Sequence, residues 1–244
     1  EHRKLVYTIK ELCRVCYTCV RECPAKAIRI EGGQAEVVTE RCIGCGNCIK
    51  VCSQEAKVFL HTRTEVKVLL QSDATVVAIV APSFAADFSD LTDEREFVGV
   101  LKALGFHSVF EVGFGADLVA RAYKKHLKAN PSSSIITSDC PAIVSYIRYY
   151  HPELVDNLAP IVSPMIAMSR VVRSKLGDSV KIVFVGPCIA KKAESVEVDQ
   201  AITFRELRNM IDQVGLDKLT GNPSDFDPPR AGKGAVFPLS LIHI

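Results

Sequence analysis

From residue 74 onward, short β-branched apolar runs alternate with stretches whose apolar positions recur every three or four residues. The runs at 75–80, 108–112, 134–137 and 180–185 are continuous, the pattern of strands covered on both faces. Between them, Asp93 and Glu96 predict a cap for a helix that keeps Phe97, Leu101 and Leu104 on one face and stops at Gly105. A second helix is predicted over 116–127, ended by Asn130-Pro131. Pro141 and Pro164 fit first helical turns, opening helices that finish near Tyr150 and Leu176, the latter followed by Gly177. Strands alternating with helices predict an α/β domain with a largely parallel sheet over 74–238, in which Thr203 and Glu206 fit a further capping box and 222–230 a Pro/Asp-rich loop. The polar stretch 61–73 reads as a connecting helix or linker. Upstream, a smaller α+β segment, 1–60, contains 27–30 and 35–38 flanking Gly32-Gly33, which predicts a hairpin.

Composition narrows the class. Of 244 residues 48% are hydrophobic and 24% charged, so enough surface can be buried to exclude general disorder. The longest uncharged stretch, 74–86, is well short of the ~18 residues of a membrane span and is broken by Pro82. Glu1-His2-Arg3-Lys4 leads into no apolar run of signal-peptide length, so a cytoplasmic location is expected. A net charge of +2 gives no reason to expect nucleic acid as a partner.

Ten cysteines change the picture. Eight form two copies of C-x2-C-x2-C-x3-C: Cys13, Cys16, Cys19 and Cys23, followed by Pro24, then Cys42, Cys45, Cys48 and Cys52. Three thiolates spaced by two residues can converge on three corners of an iron-sulfur cube, with the fourth cysteine starting a helix and ligating the other cluster. One 4Fe-4S cluster then takes Cys13, Cys16, Cys19 and Cys52, and the other Cys42, Cys45, Cys48 and Cys23. Zinc more often pairs two knuckles across a longer gap, and a disulfide framework would suit a secreted chain. Ile43, Gly44, Gly46, Asn47 and Ile49 are small or apolar, suited to letting backbone N–H groups approach sulfur. Residues 1–60 resemble a bacterial two-cluster ferredoxin.

Cys140 and Cys188 each follow a predicted strand, on the rim where such sheets bind ligands; Cys140 also precedes a helix start, which favours a thiolate. Buried structural cysteines are the plain alternative. Here the chain resembles iron-only (FeFe) hydrogenases, whose catalytic domain follows ferredoxin-type repeats. The family's Thr-Ser-Cys-Cys-Pro-x-Trp run is similar to Thr137-Ser138-Asp139-Cys140-Pro141-Ala142-Ile143, and its Met-Pro-Cys-x-x-Lys-Lys-x-Glu run to Gly186-Pro187-Cys188-Ile189-Ala190-Lys191-Lys192-Ala193-Glu194. The resemblance implies that Cys140 and Cys188 are two of four ligands of a third 4Fe-4S cluster, linked to a two-iron unit with CO and cyanide ligands. It further implies that Lys191 donates to a cyanide and that Pro82 and Ser83 line the same pocket. Lys192 is equally well explained by a solvated face. A redox partner protein, with hydrogen and protons as substrates, is implied as well.

The departures from the family pattern are specific. Its proton-relaying cysteine is Asp139 here, and the positions of its further relay, two glutamates and a serine, fall on Tyr123, His126 and Ala159 when read ungapped from Gly115-Ala116-Asp117. Altered turnover is expected, with hydrogen sensing through a downstream sensor or output domain as one form of it. The family's last two cluster cysteines have no counterpart among the ten, so the fold is read as cut off in progress, with 239–244 a probable adapter-derived tail. A two-cluster electron carrier and a non-catalytic iron-sulfur assembly or scaffold protein are the other classes.

Overall fold

The structure, a computed structural model, describes residues 3–89, 91, 93–131, 134–194, 196–215 and 222–233. In chain order the regular elements are β1 (Val6–Thr8), α1 (Thr18–Arg21), β2 (Ile28–Glu31), β3 (Gln34–Val37), α2 (Asn47–Lys50), β4 (Lys57–Phe59), α3 (Arg63–Leu70) and β5 (Val76–Val80). They continue with α4 (Phe84–Asp87), α5 (Glu94–Ala103), β6 (Ser108–Glu111), α6 (Val112–Ala129), α7 (Pro141–Tyr150), α8 (Pro164–Leu176), β7 (Lys181–Gly186), β8 (Gln200–Thr203) and α9 (Phe204–Val214). The chain divides into two compact units that interleave in sequence. One takes Glu1–His61, Ile135–Ala159 and Cys188–Glu194, and the other Thr62–Ser134, Pro160–Pro187 and Ser195–Ile244.

In the first unit β1 pairs antiparallel with β4, Val6 opposite Phe59, and β2 pairs with β3, Ile28 opposite Val37. Gly32 and Gly33 turn that hairpin with φ of 54° and 72°, the doubly left-handed turn that matches strand twist. Its core joins Leu5, Val6, Ile28, Val37 and Phe59 to Cys19, Cys23 and Cys48, and also to Ala142, Ile189 and Ala190 from the two inserted segments. Tyr150, at the end of α7, donates its hydroxyl to the carbonyls of Ala25 (2.5 Å) and Arg41 (3.0 Å), tying that helix to both cysteine repeats.

The second unit is an α/β fold around a four-stranded, wholly parallel sheet in the order β6-β5-β7-β8. Every residue of β5 is buried, as continuous apolar runs require. Asp93 caps α5 by accepting the Arg95 N–H, and α8 begins at Pro164 and ends before Gly177 at φ 90°, as the sequence signals. Residues 134–137 do not form the expected strand: Ile136 makes a single bridge with Leu158 in the first unit, and Gln200–Thr203 supplies the sheet's fourth strand. The segment offers only two apolar residues, Ile135 and Ile136, both half-buried, with Thr137 exposed, too little to cover two sheet faces. Gly115 and Asp117 lie inside α6, which starts earlier than the sequence pattern implies. The stretch read as a linker contains α3, and its leading Thr62 is fully buried, donating its N–H to Glu206 and its hydroxyl to the Ala201 carbonyl. Among the described residues no helix is long and apolar enough to cross a membrane. The tail 239–244 lies outside the described residues.

Candidate metal centres

Each cysteine repeat folds into a loop with two left-handed positions. In the second loop these are Gly44 and Gly46, at φ 70° and 78°; in the first they are Val15 and Tyr17, at φ 50° and 61°. Alternation of left- and right-handed backbone turns successive N–H groups toward one concavity, an anion-binding arrangement. The helices start before the fourth cysteines, contrary to the sequence expectation: α1 and α2 carry the third cysteines, Cys19 and Cys48, and Cys23 and Cys52 follow their ends.

Two concavities result. Cys13, Cys16, Cys19 and Cys52 line one, and Cys23, Cys42, Cys45 and Cys48 line the other. The cysteines are thus sorted across the repeats, three from one loop and the fourth from the other. Among the described residues no three His, Cys, Asp or Glu side chains converge tightly enough to hold a single ion, as tetrahedral zinc would need. Four thiols around an open volume fit a cubane instead, and sulfur donors suit iron.

The electrostatics of the cages oppose uncompensated thiolates. Burial pushes the Cys19 and Cys42 thiols up, and the Cys48 thiol up to about 12, each partly offset by the Lys57 ammonium. Bare thiolates are therefore disfavoured in these cages, and cationic iron would supply the missing charge. The Ala27 N–H donates to Cys23 Sγ at 3.3 Å. Hydrogen bonds from the Thr18 hydroxyl and N–H hold the exposed Cys16 thiol below its usual range.

Cys140 and Cys188 do not share a sheet rim. Cys188 follows β7, whereas Cys140 occupies the N-cap of α7 after a segment that is not a strand. The first unit nevertheless brings them together. Burial raises the Cys188 thiol, the Ala190 and Lys191 N–H groups oppose that, and Cys140 adds to it as a neighbouring thiol. Lys191 Nζ donates to the Asp139 carbonyl at 3.1 Å and pairs with Glu194 at 2.6 Å, so one side chain fastens the Cys140 loop to the Cys188 turn. Both partners of that ion pair are nearly covered, at 13% and 12% exposure. Asp139 is half-buried, with Oδ1 buried and without a hydrogen-bond partner; burial raises its carboxyl, with Lys191 opposing and Glu194 reinforcing the shift.

Pro82 and Ser83 belong to the second unit, on the turn from β5 into α4. Tyr123 and His126 lie on α6, and Ala159 is buried. Sequence reasoning missed three features. Lys192 is buried rather than solvated, 5.7 Å over the Phe59 ring. Tyr150 anchors α7 to the cysteine repeats. Lys57, in β4, lines the cage of Cys13, Cys16, Cys19 and Cys52. Only its place at the same offset from the last cysteine as Ile28 in the other repeat could have flagged it.

The chain is similar to several known proteins. Over 233 residues the chain is 27% identical to the NADP-reducing hydrogenase subunit HndD of Solidesulfovibrio fructosivorans, covering 81% of this chain and 40% of that protein. It is 23% identical over 236 residues to the cytosolic Fe-S cluster assembly factor narfl of Xenopus tropicalis, covering 80% and 49%. The apo [FeFe]-hydrogenase HydA1 of Chlamydomonas reinhardtii shares the fold, with a TM-score of 0.58 at 22% identity over 71% of this chain and 52% of that one. The chain thus spans about half or less of the length of these proteins. Residues 5–53 match the 4Fe-4S dicluster domain and residues 74–240 the iron only hydrogenase large subunit, C-terminal domain, so the chain belongs to the iron-only hydrogenase family.

Proposed function

We propose that this chain is the cluster-bearing part of a hydrogenase-type redox protein, relaying electrons through two 4Fe-4S clusters to a hydrogen-activating centre held in part by Cys140 and Cys188. The observation that carries this reading is the sorting of eight cysteines into two four-thiol cages, beside which a third thiol pair is fastened by Lys191. When bound, the cubanes supply one-electron carriers, and the third centre with its two-iron unit supplies the hydrogen chemistry. The protein's own residues hold and insulate. Burial of Cys19, Cys23 and Cys48 keeps water from the sulfurs, and backbone N–H groups stabilise their negative charge. Gly44 lets the Cys188 turn approach closely: a Cβ there would sit 3.2 Å from Ala190 Cα. The cage of Cys23, Cys42, Cys45 and Cys48 is therefore the one next to Cys188.

Asp139 sets the expected turnover apart from that of a bulk hydrogen producer. A carboxyl holds its proton with an intrinsic pKa of about 3.9 against about 8.5 for a thiol, so proton delivery at this position has a different driving force. Hydrogen sensing, with a redox partner protein and a downstream output domain, suits that change. The second reading is an assembly or scaffold role, favoured by the similarity to the Xenopus assembly factor and by the replaced relay positions. Infrared spectroscopy of the matured full-length protein separates the two. Bound CO and cyanide bands are expected; their absence alongside intact cubanes would overturn the hydrogenase reading.

A further inference from the structure

Lys57 is 3% exposed, and among the described residues it has no carboxylate partner. Its Nζ donates to Thr8 Oγ1 and to the Ala35 carbonyl, both at 2.6 Å, and Thr8 Oγ1 lies 2.5 Å from the same carbonyl. These are neutral acceptors. A buried ammonium without an anion is costly in a folded protein and implies that the anion is something the site receives.

The repeats themselves show what is unusual. Lys57 stands five residues after Cys52, and five residues after Cys23 stands Ile28. The duplication extends to backbone: Glu55 and Lys26, each three residues past the same cysteines, both adopt positive φ, at 53° and 45°. Each of the paired positions lines one cage, Lys57 that of Cys13, Cys16, Cys19 and Cys52, and Ile28 that of Cys23, Cys42, Cys45 and Cys48. Whatever else distinguishes them, the two sites differ by one buried positive charge against one aliphatic side chain at the same repeat position.

We propose that Lys57 is the internal counter-ion of the cluster pair and makes the cluster of Cys13, Cys16, Cys19 and Cys52 the more easily reduced of the two. Adding an electron makes a cubane more negative, and a nearby ammonium in a weakly screening interior stabilises that state. The field of Lys57 reaches Cys19 of its own cage and Cys42 and Cys48 of the other, so both clusters gain, and the cage whose wall Lys57 forms is the one expected to gain more. Because the favoured cluster is the one farther along the chain of centres from Cys188, the bias opposes electron flow toward the third centre. Lys57 acts as a positioning charge and not as a ligand.

The inference rests on the two-cluster reading above. Its test is a redox titration of the anaerobic, iron-loaded protein followed by electron paramagnetic resonance, with Cys16→Ser and Cys45→Ser assigning each signal to its cage. In Lys57→Met the reduction equilibrium constant of the Cys13, Cys16, Cys19 and Cys52 cluster is expected to fall at least tenfold, about 59 mV for a one-electron couple. The other cluster should shift less. Ile28→Lys should raise the other cluster and narrow the gap. If Lys57→Met does not load iron, Lys57→Gln and Lys57→Arg ask the same question, the first expected to lower the potential and the second to preserve it. Equal shifts at the two clusters, or none in fully loaded protein, would overturn the inference alone. Wild-type protein that binds far fewer than about eight iron atoms per chain would overturn the two-cluster reading beneath it.

Discussion

At the two left-handed positions of each cysteine loop, the second repeat has Gly44 and Gly46 where the first has Val15 and Tyr17. The glycines are not equivalent. A Cβ on Gly44 would lie 2.7 Å from Leu5 Cδ1 and 3.2 Å from the Ala190 backbone, whereas on Gly46 it would meet Ile189 only at 3.5 Å. Left-handed backbone costs a non-glycine residue about 1–2 kcal/mol, and overpacking adds about 1–3 kcal/mol. Gly44→Ala is therefore expected to destabilise by about 2–5 kcal/mol and Gly46→Ala by about 1–2 kcal/mol, read as urea midpoints of the anaerobic iron-loaded protein. Val15 is β-branched at φ 50°, an outlier held in place by the loop around it. Val15→Gly should stabilise by roughly 0.5–1 kcal/mol after allowing for the extra freedom of glycine in the unfolded chain. On the hydrogenase reading proposed above, Asp139→Cys should raise hydrogen evolution by the matured full-length protein at least about tenfold, because it puts a thiol where the resemblance implies a proton relay. Unchanged activity in that variant would place the limitation elsewhere. The cysteines and glycines were legible in the sequence because their spacing is local; the strain at Val15 was not, because φ is set by the loop that the metal site requires.

Among the elements, α9 and α6 show how the second unit is fixed. Glu206 is fully buried and accepts N–H groups from Thr203, its own cap, at 2.8 Å and from Thr62 at 2.8 Å, while Thr203 Oγ1 accepts the Glu206 N–H. The capping box was readable from Thr203 and Glu206; the third arm, to Thr62, was not. Thr203→Ala should cost about 1 kcal/mol, the usual value of a cap. Glu206→Ala strands two buried N–H groups and should cost roughly 2–6 kcal/mol, with thermal melting as the measure. Gly115 in α6 faces α8 so closely that a Cβ would come within 2.2 Å of the Pro164 carbonyl oxygen. Gly115→Ala cannot be absorbed by a rotamer change, since the obstacle is backbone, so the two helices must move apart at a cost of about 3 kcal/mol or less. Helices were readable from caps and prolines. The failed strand at 134–137 shows the limit: a β-branched run says that a segment can extend, and only available partners decide whether it joins a sheet.

For the molecule as a whole, the two units differ in what holds them. The second has an apolar core of its own, with Val77, Ile79, Ile182 and Leu207 fully buried, whereas the first builds cysteine side chains into its core. Stripping iron anaerobically with a chelator should therefore abolish hydrogen-exchange protection in 5–60 while β5 and β7 stay protected. Residues 141–150 are expected to lose protection with the cysteine repeats, following the structural unit and not their position in the chain. Protection of 141–150 unchanged by iron removal would contradict that grouping. The sequence by itself determined the two cysteine repeats, their spacing and the order of the two folds, because such a repeat is a local pattern constrained by covalent geometry. Only the tertiary structure decided that 135–159 and 188–194 join the cysteine repeats, that Lys191 fastens Cys140 to Cys188, and that Lys57 lies buried against one cage. Those outcomes depend on many weak contacts between residues far apart in the chain, and no local pattern encodes their sum.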